Sequence, residues 1–308
     1  MTKKQLLRRS ATFVVLLVTI GAAVYYLINH RSLLTHLAHI SPWVVVSVLL
    51  LYTVLFGVLL LVLDATLRLC RIRIGKQENV ILNAYTLIIN NFFIIGQNGP
   101  IFRGYYLKTR HNLKVRNYLA VTLFYFLIYG VVSVFFIFLG SQAWWLSLIA
   151  GLLMIGTAAM MVRFYVRRKK YNPEEFSISP RGVAYIMLAT FLQVIIQAII
   201  YGVELHNSGQ AHIAIRQVIT YTGTANLALF VALTPGAIGI RESFLLLSQH
   251  LHHISSGAIV VANVIDRSVY LVFLLILLAV TLSLHAKDRL MSHKATKNTP
   301  ANEPVKDS

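Results

Sequence analysis

Cysteine is almost missing. Cys70 stands alone in 308 residues, so no intrachain disulfide can form and no cysteine-based metal site is expected. Acidic residues are nearly as scarce, with 10 Asp and Glu against 28 Lys and Arg. Charge of either sign makes up 12% of the chain, where a soluble domain carries about 25%. There is no Walker motif, no H-E-x-x-H and no G-x-S-x-G, and no two carboxylates are spaced for acid–base work. These absences exclude an ordinary soluble enzyme and leave no ATPase element to drive transport. The expectation is no enzymatic activity and no metal or other cofactor.

What the chain has instead is apolar sequence: 57% hydrophobic residues and a mean hydropathy of +0.70. Several runs reach the roughly 20 residues a bilayer-spanning helix needs. The runs are continuous and do not alternate, which argues against a β-barrel. The net charge of +18 would suggest nucleic acid in a soluble protein. Here the cations sit in short segments between apolar runs, where they set orientation and meet anionic headgroups, so no nucleic-acid partner is expected.

The positive-inside rule then orders the spans. Lys3, Lys4, Arg8 and Arg9 precede residues 11–28, a retained first helix with no A-x-A cleavage site after it, so the N-terminus is placed in the cytoplasm. Residues 43–63 return, with Pro42 at the first turn, where its missing N–H costs least. The basic segment 64–79 is cytoplasmic, and Asp64 and Arg68 can pair four residues apart. Residues 118–139, 144–162, 182–203 and 257–284 supply the remaining crossings. Residues 204–216 form an outer loop, and the C-terminus is cytoplasmic. Residues 1–285 make one transmembrane domain, and 286–308 read as a disordered tail.

Two apolar segments resist this scheme. Residues 80–95 are short, basic on both flanks, and end in Gly96-Gln97-Asn98-Gly99-Pro100. A hairpin that enters from the cytoplasm and returns satisfies both flanks. Residues 217–253 must begin and end outside, and break at Thr234-Pro235-Gly236. The predicted architecture is an all-α polytopic bundle of six full spans plus two re-entrant helical hairpins of opposite orientation. Paired Gly/Pro-interrupted segments in the two halves of a transporter point to its binding site.

The candidate site follows from polar residues at those breaks. Arg241 and Glu242 come directly after Gly236 and Gly239, and a charge at mid-bilayer costs about 2.5–3.5 kcal/mol. Either Arg241 and freed backbone N–H groups hold a phosphate, or Arg241 and Glu242 form an internal pair. Asp266 and Arg267 lie well inside the last span, where they compensate that doublet or touch a ligand. Arg103 is the matching cation near Gly99, or a headgroup anchor. Asn90, Asn91, Gln97 and Asn98 contact ligand or satisfy freed backbone. His250, His252 and His253 read as an interfacial cluster.

The T-P-G-x-x-G-x-R-E pattern at Thr234–Glu242 resembles the signature of the lysylphosphatidylglycerol synthase transmembrane region, the flippase-like family. The region from Asn90 to Arg103, and Arg267, are similar to its other polar landmarks. The resemblance implies a lipid-handling domain in a bacterial cytoplasmic membrane. It also implies an anionic phosphate-bearing lipid, phospholipid or polyprenyl-phosphate-linked, as ligand. The aminoacyl-transfer domain of the two-domain members is not in this sequence, so a separately encoded lipid-modifying enzyme is the expected partner. The competing expectation is a membrane enzyme, or a non-transporting subunit, for lipid-linked sugars. Oligomeric state is not legible.

Overall fold

The computed structural model describes residues 41–92, 98–141, 145–167, 180–210, 212–231 and 240–297. The expected first span, 11–28, lies outside them, as do Gln97, Thr234, Pro235, Gly236 and Gly239. Among the described residues every regular element is helical: α1 (Pro42–Leu69), α2 (Lys76–Phe92), α3 (Asn98–His111), α4 (Val115–Gly140), α5 (Trp145–Arg167), α6 (Pro180–His206), α7 (Ile215–Val231), α8 (Ile240–Leu247), α9 (Gln249–His252) and α10 (Ser256–Lys297). Four of them carry stretches long and apolar enough to cross a membrane: Pro42–Leu69, Val115–Gly140, Pro180–His206 and Ser256–Leu284. The apolar stretch of α5, Trp145–Thr157, is shorter.

Two boundaries differ from the sequence expectation. Helix α10 runs on to Lys297, so the tail expected to be disordered from residue 286 is helical over its first half. The sequence from His285 to Lys297 holds good helix formers and neither Gly nor Pro, so nothing stops the helix at the membrane edge. Glu204, placed by hydropathy at the start of an outer loop, belongs to the last turns of α6 and is 1% exposed.

The apolar interior falls into two main clusters at opposite ends of α1. Val44, Val48, Tyr52, Leu55 and Val58 pack with Ile196–Leu205 of α6, Tyr221 and Ala225 of α7, Leu245 of α8 and one face of α10 from Ala258 to Leu277. Leu63 to Cys70 pack with Leu82 of α2, Leu107 of α3, Val183 and Ile186 of α6 and the inner face of α4. The start of α2 and α3 thus pack at one end of α1 and α7–α8 at the other, with Ala84 and Leu87 farther along α2 joining the first cluster. The α1 residues of the two clusters, Val44–Val58 and Leu63–Cys70, follow one another along the helix, with midpoints about 23 Å apart at 1.5 Å per residue.

Each interrupted segment doubles back. At the base of α2 and α3, Glu78 Oε1 accepts from Tyr106 Oη at 2.7 Å and contacts His111 Nε2 at 2.8 Å. At the base of α7 and α9, Gln217 Nε2 donates to the His253 carbonyl at 3.0 Å. Burial pushes Glu78 upward, but these bonds from His111 and Tyr106 outweigh it and hold the carboxyl below the usual glutamate range. A depressed group contributes stability above the unfolded glutamate value and loses it as pH falls through the folded one. Melting followed on acidification from neutral pH should therefore fall more steeply for the wild type than for Glu78→Gln. Parallel curves would remove the clip.

Small residues bring helices into contact. Gly223 of α7 sits against α4, where a Cβ would lie 2.5 Å from the Ser133 carbonyl and 2.7 Å from the Ile137 nitrogen. Both are backbone atoms, so no side chain can rotate away. Gly223→Ala should lower stability by about 1–3 kcal/mol, read as an earlier thermal transition in detergent.

Candidate functional site

A cavity of about 300 Å³ opens between the two apolar clusters, lined from both interrupted segments and from α1, α4, α6 and α10. Its walls are apolar with convergent polar groups, as expected of a small-molecule or headgroup site. The polar groups arise from helical stripes. On α4, Thr122, Tyr125 and Tyr129 share a face at spacings of three and four, and on α6 so do Gln193, Gln197 and Tyr201. Tyr125 Oη donates to Gln193 Oε1 at 2.9 Å, and Tyr129 Oη to Gln197 Oε1 at 3.2 Å, so the two stripes face each other.

The first segment contributes Arg103. Its Nη2 donates to Asn83 Oδ1 at 2.9 Å and its Nε to Thr86 Oγ1 at 3.3 Å. Both partners are neutral, and among the described residues no carboxylate pairs with this guanidinium. Asn90 and Asn91 spend their side chains on structure. Asn90 Oδ1 accepts from the Gly99 N–H at 2.6 Å, while Asn91 Nδ2 donates to the Leu87 carbonyl and, at 3.3 Å, to Tyr270 Oη. Gly99 must be glycine here: a Cβ would stand 2.5 Å from Thr86 Cγ2 and 2.8 Å from the Thr86 carbonyl.

The second segment brings its Arg-Glu doublet against the Asp-Arg doublet of α10, and the pairs cross. Arg241 Nη1 donates to Asp266 Oδ2, and Tyr52 Oη to Asp266 Oδ1. Arg267 Nη2 and Nε donate to Glu242 Oε1 at 3.0 and 3.2 Å. Asp266 lies ten residues into α10, about 15 Å along it. Arg241 is 5% exposed, and its guanidinium carbon lies 4.9 Å from the centre of the Tyr201 ring. Its Nε and Nη2 are buried, with no hydrogen-bond partner among the described residues.

Arg103, Arg241, Asp266, Arg267 and Asn91 therefore line one chamber. Glu242 reaches it through Arg267. Three partners were not picked out from sequence. Tyr52 and Tyr201 are apolar-looking residues within spans. Glu204 continues the α6 stripe three residues after Tyr201, and that spacing was the available signal. Glu204 is buried, and among the described residues its Oε1 has no hydrogen-bond partner.

The histidines stand apart from this chamber. His252 is buried, with Nε2 on the Leu245 carbonyl at 3.1 Å and Nδ1 accepting from the Ile254 N–H at 3.3 Å. Burial lowers its affinity for a proton, and both ring nitrogens are already used by the neutral tautomer. Among the described residues no three His, Cys, Asp or Glu converge as metal ligands. Cys70, just past α1, is buried, and burial pushes its thiol up to about 12.

Residues 11–277 match the family described as lysylphosphatidylglycerol synthase TM region. The chain belongs to that family. The match covers the expected first span, both interrupted segments and the first half of α10. A search of curated proteins found no match. As a lysylphosphatidylglycerol synthase TM region, the protein is a multi-pass helical membrane domain, and its polar chamber lies within the matched residues.

Proposed function

We propose that this domain binds the phosphate of an anionic lipid in the chamber and carries the headgroup between leaflets. The observation that carries the reading is Arg241: a guanidinium held deep in the bundle with two donors unused, facing a chamber that Arg103 also faces. Phosphate oxygens are the acceptors such donors suit. Asp266, which lines the chamber, and Glu242 behind it are each tied to a guanidinium, which favours binding and movement over bond chemistry.

The proposed topology is six crossings with two re-entrant hairpins, N- and C-termini in the cytoplasm of a bacterial inner membrane. Anchorage of the interrupted segments at opposite ends of α1, and their closed bases, support opposite entry. In this reading the lipid site extends to the Thr234-Pro235-Gly236 break and Gly239 on the strength of the sequence motif, and the headgroup reaches a partner enzyme after crossing.

Purified protein in liposomes with fluorescent phosphatidylglycerol tests it directly. Accelerated loss of inner-leaflet protection against dithionite, together with an anionic lipid retained in native mass spectra, is the expected result. Empty-vesicle rates with no retained lipid would overturn the proposal.

A further inference from the structure

The wall of the chamber built by α4 and α6 carries polar groups that a phosphate on Arg103 and Arg241 leaves unused. Gln193 and Gln197 each accept a phenol on the amide oxygen, from Tyr125 at 2.9 Å and from Tyr129 at 3.2 Å. Asn226 of α7 holds Gln197 in place, its Nδ2 donating to the same Oε1 at 3.1 Å. Both amide oxygens are thus occupied, and among the described residues neither Nε2 donates a hydrogen bond. Each phenol oxygen still has lone pairs to offer. Thr122, three residues before Tyr125 on the same face of α4, is buried, and its Oγ1 has no partner among the described residues. All five side chains line the chamber. The wall therefore mixes amide donors with hydroxyl oxygens, and a ligand hydroxyl, which donates and accepts at once, suits both.

Charge narrows the ligand further. Arg103, Arg241 and Arg267 line the chamber, and Asp266 is the one carboxylate that does so among the described residues. Its two oxygens are taken by Arg241 and Tyr52. An ammonium group on the ligand would meet guanidiniums and no free anion. The cavity, about 300 Å³, is at the small end of ligand sites, so a headgroup enters and acyl chains stay outside. A bare phosphate would leave the α4–α6 wall unpaired, and buried polar groups without partners are costly. Glycerol has too few hydroxyls to meet that wall. A sugar-sized ring has enough.

We infer that the phosphate bound here carries a neutral ring of hydroxyls, a sugar or a cyclitol, with its hydroxyls on the Tyr125–Gln193 and Tyr129–Gln197 pairs. The inference rests on the lipid-binding reading above and specifies its headgroup: uncharged beyond the phosphate, and rich in hydroxyls.

Full-length protein in detergent, titrated with single lipids and read by native mass spectrometry, tests it. The probes are a prenyl-phosphate-linked glucose, phosphatidylinositol, phosphatidylglycerol, lysylphosphatidylglycerol and phosphatidic acid. At least one of the two ring-bearing lipids should bind about tenfold tighter than phosphatidylglycerol or phosphatidic acid, since hydrogen bonds of about 1.4 kcal/mol in sum give that factor. Whichever ring lipid binds tighter identifies the anchor. Lysylphosphatidylglycerol should bind weakest. The double variant Tyr125→Phe/Gln193→Leu removes both partners of one pair without orphaning either. It should lose the preference for the ring and keep its binding of phosphatidic acid, which shows that the chamber still forms. Ring lipids no tighter than phosphatidylglycerol, or a preference that survives in the double variant, would overturn the inference and leave the lipid reading standing. Lysylphosphatidylglycerol binding as tightly as a ring lipid would overturn it as well. Binding of none of these lipids removes both readings. Glucose 1-phosphate is the soluble arm: binding as tight as that of the ring lipids would support hydroxyl recognition and overturn the lipid part.

Discussion

Arg241→Ala is expected to abolish lipid movement in reconstituted vesicles and to cost about 3–5 kcal/mol of stability. The two losses have different causes. Removing the guanidinium leaves Asp266 buried with only Tyr52 to hold it, and a buried charge stripped of its partner is strongly destabilising. The headgroup meanwhile loses its deepest donor. Adding Asp266→Asn separates the causes, because the orphaned charge disappears. The double variant should recover most of the melting temperature and none of the transport. Recovered transport would mean that Arg241 serves the fold alone.

Arg103→Ala should do the reverse, weakening anionic-lipid binding about ten- to hundredfold with little change in melting. Its partners Asn83 and Thr86 are neutral, and both stay close to other acceptors or donors of their own helix: Asn83 Nδ2 bonds Asn79, and Thr86 Oγ1 bonds the Leu82 carbonyl. A hydrogen bond to a charged group is worth about 1.5–3 kcal/mol, which sets the expected loss. Arg103→Lys should recover part of the binding, since Lys keeps the charge and loses the fork. Unchanged binding in Arg103→Ala would return this residue to the role of a surface anchor.

The long elements were legible because hydropathy and length decide them. Pro42 opens α1, and α4, α6 and α10 begin within three residues of their expected starts. The Asp64–Arg68 pair forms at 2.7 Å, as spacing alone predicts on a helix. The doublets Arg241-Glu242 and Asp266-Arg267 were legible as polar residues needing partners. Which cation takes which anion was not, because the crossed arrangement depends on how α8 meets α10 in space. Glu204 was missed for a plain reason. It lies one turn from a polar loop, and hydropathy averages over that distance, so a residue at the buried end of a helical stripe looks like the start of the loop.

The central claim is that two interrupted segments enter from opposite faces and meet at a chamber lined by Arg103 and Arg241. Single cysteines, placed in a Cys70→Ser background at the exposed positions Gln77, Lys108, His212 and Ser255, test it with an impermeant maleimide on intact and opened cells. The account predicts that Gln77→Cys and Lys108→Cys label only from the cytoplasm, and His212→Cys and Ser255→Cys only from outside. Labelling of the first two positions from opposite faces would contradict it.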